Sequence, residues 1–133
     1  MANSGNDYCF ACGEKNPIGL HLTFEFDGDK IFAKKIMPKE YQGFEGALHG
    51  GIISTLLDEA MGNYLSKKYH EKAVTGRIEV RFKFPTPLEQ ELKITAWEEN
   101  RRKNIISMRS TVETADGTIT AEATAKFAFV GAL

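Results

Sequence analysis

The chain has 133 residues, 42% of them apolar and 26% charged, and a formal net charge of -1. A domain of that length can bury about two-thirds of its unfolded surface, and a near-neutral balance argues against a general nucleic-acid binder, because no excess of cations is available to replace phosphate counterions. No apolar run approaches the ~20 residues of a membrane span, and the opening "MANSGNDYCF" lacks the basic-then-apolar order of an export signal, so the expected compartment is the cytoplasm.

Residues 1–18 read as an N-terminal extension of a single domain that spans 1–133. The extension holds both cysteines, Cys9 and Cys12, in "CFACG". A CxxC is half of a zinc site, but there is no second CxxC and no HxxxH, and His21 falls in what reads as a strand. A redox pair would open a helix after a strand, which this one does not. The expectation is a turn with two packed, reduced thiols and no metal; partial metal ligation shared between subunits and redox chemistry are the alternatives.

"LHLTFEF" alternates, with Leu20, Leu22, Phe24 and Phe26 on one face of an expected strand. "DGD" reads as a hairpin turn and "KIFAKKI" as the second strand, ended by Pro38. "PKEYQGFEGALHGG" is a glycine-rich loop. The one convincing helix runs from about Gly51 to Tyr69, with Ile52, Ile53, Leu56, Leu57, Ala60, Met61, Tyr64 and Leu65 at helical spacing. So wide an apolar arc predicts a helix covered by other structure. Four strands follow, in "AVTGRIEVRFKFP", "QELKITAWEE", "NIISMRSTVET" and "TITAEATAKFAFV", the last two flanking the hairpin signal Asp116-Gly117. Tight links make such a sheet antiparallel. The expected fold is α+β, a curved antiparallel sheet wrapped around one long helix. Its open edges and incompletely covered helix predict pairing with a second copy.

Two adjacent acids interrupt the helix. On a helical wheel Asp58 lies on one flank of the apolar arc, in a row with Ser54, Met61 and Leu65. Glu59 lies on the other flank with Thr55, Gly62 and Ser66, and is expected to be solvated. Asp58 has apolar neighbours one turn on, which disfavour its charged form unless a donor meets it. A salt bridge to a strand cation is the structural alternative. Upstream, "HGG" leaves backbone N–H groups at the helix start uncovered by side chains, an anion-receptive arrangement. His49 there reads as a capping or loop-anchoring residue. Gly50 and Asp58 are separated by two helical turns, ~11 Å, too far to act on one carbonyl, so two helices meeting across a dimer axis would supply one group each. A Ser54–His49–Asp58 triad is disfavoured by the lack of a nucleophile elbow.

"GALHGGIISTLLDEAMG", "AVTGRIEVRFKFPTPL", "DGTITAEATAKFAF" and "CFACGEKNPIGLHLTF" together resemble hotdog-fold thioesterases of the PaaI type over nearly the whole chain. The resemblance implies a long helix wrapped by a five- to six-stranded antiparallel sheet. It implies acyl-CoA thioester hydrolysis, with Asp58 as general base or nucleophile and the Gly50 N–H polarising the carbonyl from the other subunit. His49 belongs to the same signature and is grouped with the catalytic residues. Thr75 falls where relatives carry a hydroxyl that orients the water or the carboxylate. Gly51 extends the helix-start amides, Met61 and Leu65 would line the acyl tunnel, and Arg102, Lys103 and Asn104 match a turn near the coenzyme A phosphates. Many relatives carry an Asn that helps bind the thioester or water where this chain has Gly43; Gln42 beside it, longer by one carbon, could reach the same place, so both are expected at the substrate. No cofactor or metal is implied, and the assembly expected is a homodimer or a dimer of dimers. A non-catalytic acyl-CoA binder and a hotdog hydratase or dehydratase are the alternative functions.

Overall fold

The computed structural model describes residues 7–132; the first six residues of the expected extension lie outside them. The chain forms β1 (Glu25–Asp27), β2 (Lys30–Ile36), a short 3-10 turn at Lys39–Tyr41, α1 (Gly50–Tyr69), β3 (Glu71–Phe82), β4 (Glu91–Arg102), β5 (Ile105–Thr114) and β6 (Ile119–Ala132). One six-stranded sheet has the order β1-β2-β4-β5-β6-β3, and every pairing in it is antiparallel. The helix packs against β2, β3, β4, β5 and β6, so the sheet curls around it. The expected α+β architecture is thus the one observed.

The inner face follows from period-two patterning. Leu92, Ile94 and Ala96 of β4 and Ile106, Met108 and Val112 of β5 are enclosed, as are Leu56, Leu57, Ala60, Met61 and Leu65 of the helix. Each large side chain so buried contributes about 1.5–3 kcal/mol. Ala121, Ala123 and Ala125 of β6 are buried on the same inner face, where short side chains leave room for an approaching neighbour. The helix stops at His70, a left-handed C-cap with φ 55°.

One strand is shorter than its pattern. Leu20, Leu22 and Phe24 are buried as alternation predicts, yet β1 begins only at Glu25 and Phe26 is exposed. His21 takes φ 55°, which breaks an extended run. The Leu20 and Leu22 amides donate instead to the carbonyls of Phe10 and Ala11. The segment is clamped to the cysteine loop rather than to the sheet.

The sheet ends at β1 on one side and β3 on the other. β3 bonds only to β6, and its exposed side chains include Val74 and Phe82, with Phe84 just beyond.

Candidate active site

The loop before the helix builds its own scaffold. Gln42 pairs with Leu48 and Ala47 with Pro87 in isolated bridges. Gly46 adopts φ +81°, a conformation that favours glycine. Its N–H donates to Gln42 Oε1 at 2.8 Å, so that side chain is committed inside the loop. Gly43 lies against the helix start: a Cβ there would stand 3.1 Å from His49 Cα. An Asn at this position would press its Cβ on the His49 backbone, which would have to give by a few tenths of an ångström.

His49 is the N-cap of α1, and its Nδ1 accepts from the Gly51 N–H at 2.9 Å. That leaves the proton of the neutral ring on Nε2, so His49 acts as a cap, and Gly51 is consumed by it. Gly50, the first helical residue, has an N–H with no acceptor among the described residues. The ring of Phe82 lies 3.6 Å from where a Gly50 Cβ would be, so an exposed aromatic flanks this amide. The donor points out of the helix start, where the macrodipole favours negative charge.

Ser54 and Thr55 spend their hydroxyls on the carbonyls of Gly50 and Gly51, each at 3.0 Å. Ser54 is therefore no nucleophile. Two turns from the helix start, Asp58 Oδ1 accepts from Thr75 Oγ1 at 2.7 Å. The donor comes from β3 beside an irregularity: the register with β6 shifts between Thr75 and Arg77 and skips Gly76. A bulge re-aims side chains next to it, here Thr75 toward the helix. Gly76 escaped the sequence reading, although an isolated Gly inside a strand pattern is a bulge signal.

The other flank of the helix differs from expectation. Glu59 is not left to solvent: it is half-buried, and its Oε2 accepts from Asn63 Nδ2 at 2.7 Å. The cysteine loop covers it. One ligating atom each from Cys9, Cys12 and Glu59 all lie within 4.8 Å of one another. Burial pushes the Cys12 thiol well up, the Glu59 carboxylate adding to it. Burial also raises Glu59, as does the Asp58 charge, while hydrogen bonds from Cys12 and Asn63 oppose the rise.

The remaining expected residues lie elsewhere. Met61 and Leu65 have no exposed surface and belong to the core. Arg102, the last residue of β4, and Lys103 and Asn104 of the β4–β5 turn are exposed, and the neighbouring Arg101 stacks on Tyr69 at the C-terminal end of the helix. Within one chain this turn is thus at the opposite end of α1 from Gly50. One chain brings Asp58 and Thr75 together, and His49 with Gly51, but keeps Gly50 some 12 Å from Asp58 by helix rise.

Residues 45–121 match the family model described as thioesterase superfamily. Among solved structures, a thioesterase superfamily protein superposes with TM-score 0.86 at 24% identity, over 92% of this chain and 60% of that one. The smu.793 protein of Streptococcus mutans UA159, bound to acetyl CoA, gives 0.76 at 20% identity, over 84% and 90%. The PaaI protein of E. coli, from the phenylacetic acid degradation operon, gives 0.77 at 18% identity, over 85% and 82%. No curated protein matches. No helix among the described residues is long and apolar enough to cross a membrane. The chain belongs to the thioesterase superfamily and has the hotdog fold of its PaaI-type members.

Proposed function

We propose that this protein hydrolyses acyl-CoA thioesters in the cytoplasm, at sites formed between two copies of the chain. The observation that carries the reading is the Thr75–Asp58 hydrogen bond at mid-helix together with an acceptor-less Gly50 N–H at the helix start. Asp58 would take a proton from water as general base. The resulting hydroxide would add to the thioester carbonyl, whose oxyanion would accept from Gly50 of the partner subunit. Collapse would expel the coenzyme A thiolate, which recovers the proton from Asp58. Attack by Asp58 itself, through a mixed anhydride, uses the same residues. Thr75 holds the carboxylate and is a positioning residue. The unpaired β3 edge and its exposed apolar side chains suit the contact between copies, as a dimer or a dimer of dimers. Arg102–Asn104, at the far end of each helix, would meet coenzyme A phosphates only from such an assembly. Acyl chains would reach Met61 and Leu65 only if core side chains move aside.

Supporting evidence comes from the company the fold keeps. A hypothetical thioesterase protein of Streptococcus pneumoniae TIGR4 has been solved with coenzyme A, and also as an aspartate-to-alanine and a threonine-to-alanine variant. The alternative of acyl-CoA binding without turnover is favoured by one observation: Gly43 supplies no side chain here, its Cβ position is tight against His49, and Gln42 is engaged with Gly46. The hydratase alternative loses ground because His49 is a cap. A panel of acyl-CoA esters with thiol-release detection separates these. Release that disappears in Asp58→Asn is expected; tight acyl-CoA binding with no release by the wild type would overturn hydrolysis.

A further inference from the structure

The cysteine loop is more elaborately built than a packed turn needs. The Gly13 N–H donates to the Cys9 carbonyl at 2.9 Å, and Lys15 N–H to that of Asp7 at 2.7 Å. A Cβ on Gly13 would lie 2.3 Å from Cys9 N, so no other residue fits there without rebuilding the loop. Leu20 and Leu22 fasten the loop from behind. The outcome is that two sulfurs at C-x-x-C spacing are set down on one helical carboxylate.

We propose that Cys9, Cys12 and Glu59 form a binding site for a thiophilic divalent cation, zinc by its chemistry, which ties the N-terminal segment to the central helix. The geometry is close to what a tetrahedral ion requires. Zinc bonds of about 2.3 Å to sulfur and 2.0–2.2 Å to carboxylate oxygen place ligand atoms roughly 3.5–3.8 Å apart. The three atoms here lie within 4.8 Å of one another, so closure by about an ångström suffices. Two thiolates select against calcium and magnesium. The carboxylate is already oriented: Asn63, one turn on, donates to Glu59 Oε2, leaving the other oxygen for the cluster. Asn63 is 1% exposed, and its own Oδ1 has no donor among the described residues, so this polar group is buried for some purpose other than its own satisfaction. Cys9 is the half-exposed member, which leaves the outer side of the site open for a water as fourth ligand. On binding, each cysteine gives up its thiol proton to solvent as its metal–sulfur bond forms.

This assignment is independent of the thioesterase reading, and its test does not use activity. The full chain, reduced and stripped with a chelator, is titrated with Zn2+ and with Co2+. Expected are one equivalent per chain with sub-micromolar affinity, a thiolate-to-cobalt charge-transfer band, and a higher melting temperature with zinc. Cys9→Ser and Glu59→Gln should each weaken binding tenfold or more. Zinc should also shield Cys9 and Cys12 of the wild type from alkylation mapped by mass spectrometry, a readout that needs no variant to fold. Absence of stoichiometric binding, binding undiminished in both variants, or equal alkylation with and without zinc would overturn the proposal.

Discussion

Asp58 and Glu59 are neighbours in sequence and occupy opposite surroundings. Asp58 faces the bulged edge strand and takes one hydrogen bond, from an exposed threonine. Glu59 faces a loop from the far end of the chain and is held by Asn63 beneath two sulfurs. The same side-chain chemistry thus meets an edge strand on one flank and a cysteine loop on the other. What differs is not the acid but what the topology lays over it. In the proposed mechanism Asp58, beside the edge strand with a single orienting donor, is the reactive acid, while Glu59, covered by the cysteine loop, serves the fold.

The contrast can be broken most severely at Asp58. Asp58→Asn keeps size and polarity but removes the base, so thiol release should fall by roughly 10²–10⁴-fold, with melting temperature and assembly unchanged. Turnover at the wild-type rate would show that the accessible flank is not the reactive one. Next comes its donor. Hydrogen bonds to charged groups contribute about 1.5–3 kcal/mol, so Thr75→Ala should lower kcat about 10- to 100-fold with little change in KM. Thr75→Ser should restore most of it, which a loss of packing would not explain.

A stability change sharpens the comparison from the loop side. Gly43→Asn would introduce the side chain that the sequence resemblance leads one to expect there, but it presses on His49 Cα. Overpacking of that kind costs about 1–3 kcal/mol; calorimetry should show a lower melting temperature and no gain in turnover. The smallest effect lies far from the helix, at the β5–β6 hairpin. The Thr114 hydroxyl and the Thr118 N–H hold the Asp116 carboxyl below its ordinary value. A carboxylate with a depressed folded pKa stabilises above the unfolded pKa of about 3.9, and that contribution is lost as pH falls through the folded value. Denaturation of Asp116→Asn followed from pH 7 to pH 2 should therefore show a slightly flatter acid limb than the wild type.

Much of this arrangement was legible beforehand, for physical reasons. Helical spacing over Ile52–Leu65 and period-two alternation over the last four strands are local signals, and they set the element order, the buried helix and Asp58 on its flank. The Asp116-Gly117 hairpin was equally local, and Gly117 takes φ 89°. Three features were not legible. The alternation of Leu20, Leu22 and Phe24 reported burial correctly but not the partner, because the cysteine loop takes their hydrogen bonds. A helical wheel placed Glu59 among polar neighbours and could not see that loop arriving from residues 9–13. The arrival of Thr75 at Asp58 depends on a bulge at Gly76, whose consequence is a direction in space rather than a pattern.

In the proposed mechanism Asp58 and the Gly50 amide serve one another only across two copies. Gly50 is the first helical residue, where proline is tolerated, and His49 before it is already extended at ψ 136°. Gly50→Pro therefore deletes the N–H while sparing the helix. Each variant alone, Asp58→Asn or Gly50→Pro, should be nearly inactive. Mixed in equal amounts and allowed to exchange, the two should recover about a quarter of wild-type thiol release, since half of a randomly reassorted population pairs unlike chains and each such pair holds one intact site. No recovery on mixing, with chain exchange verified by mass spectrometry, would contradict a shared site.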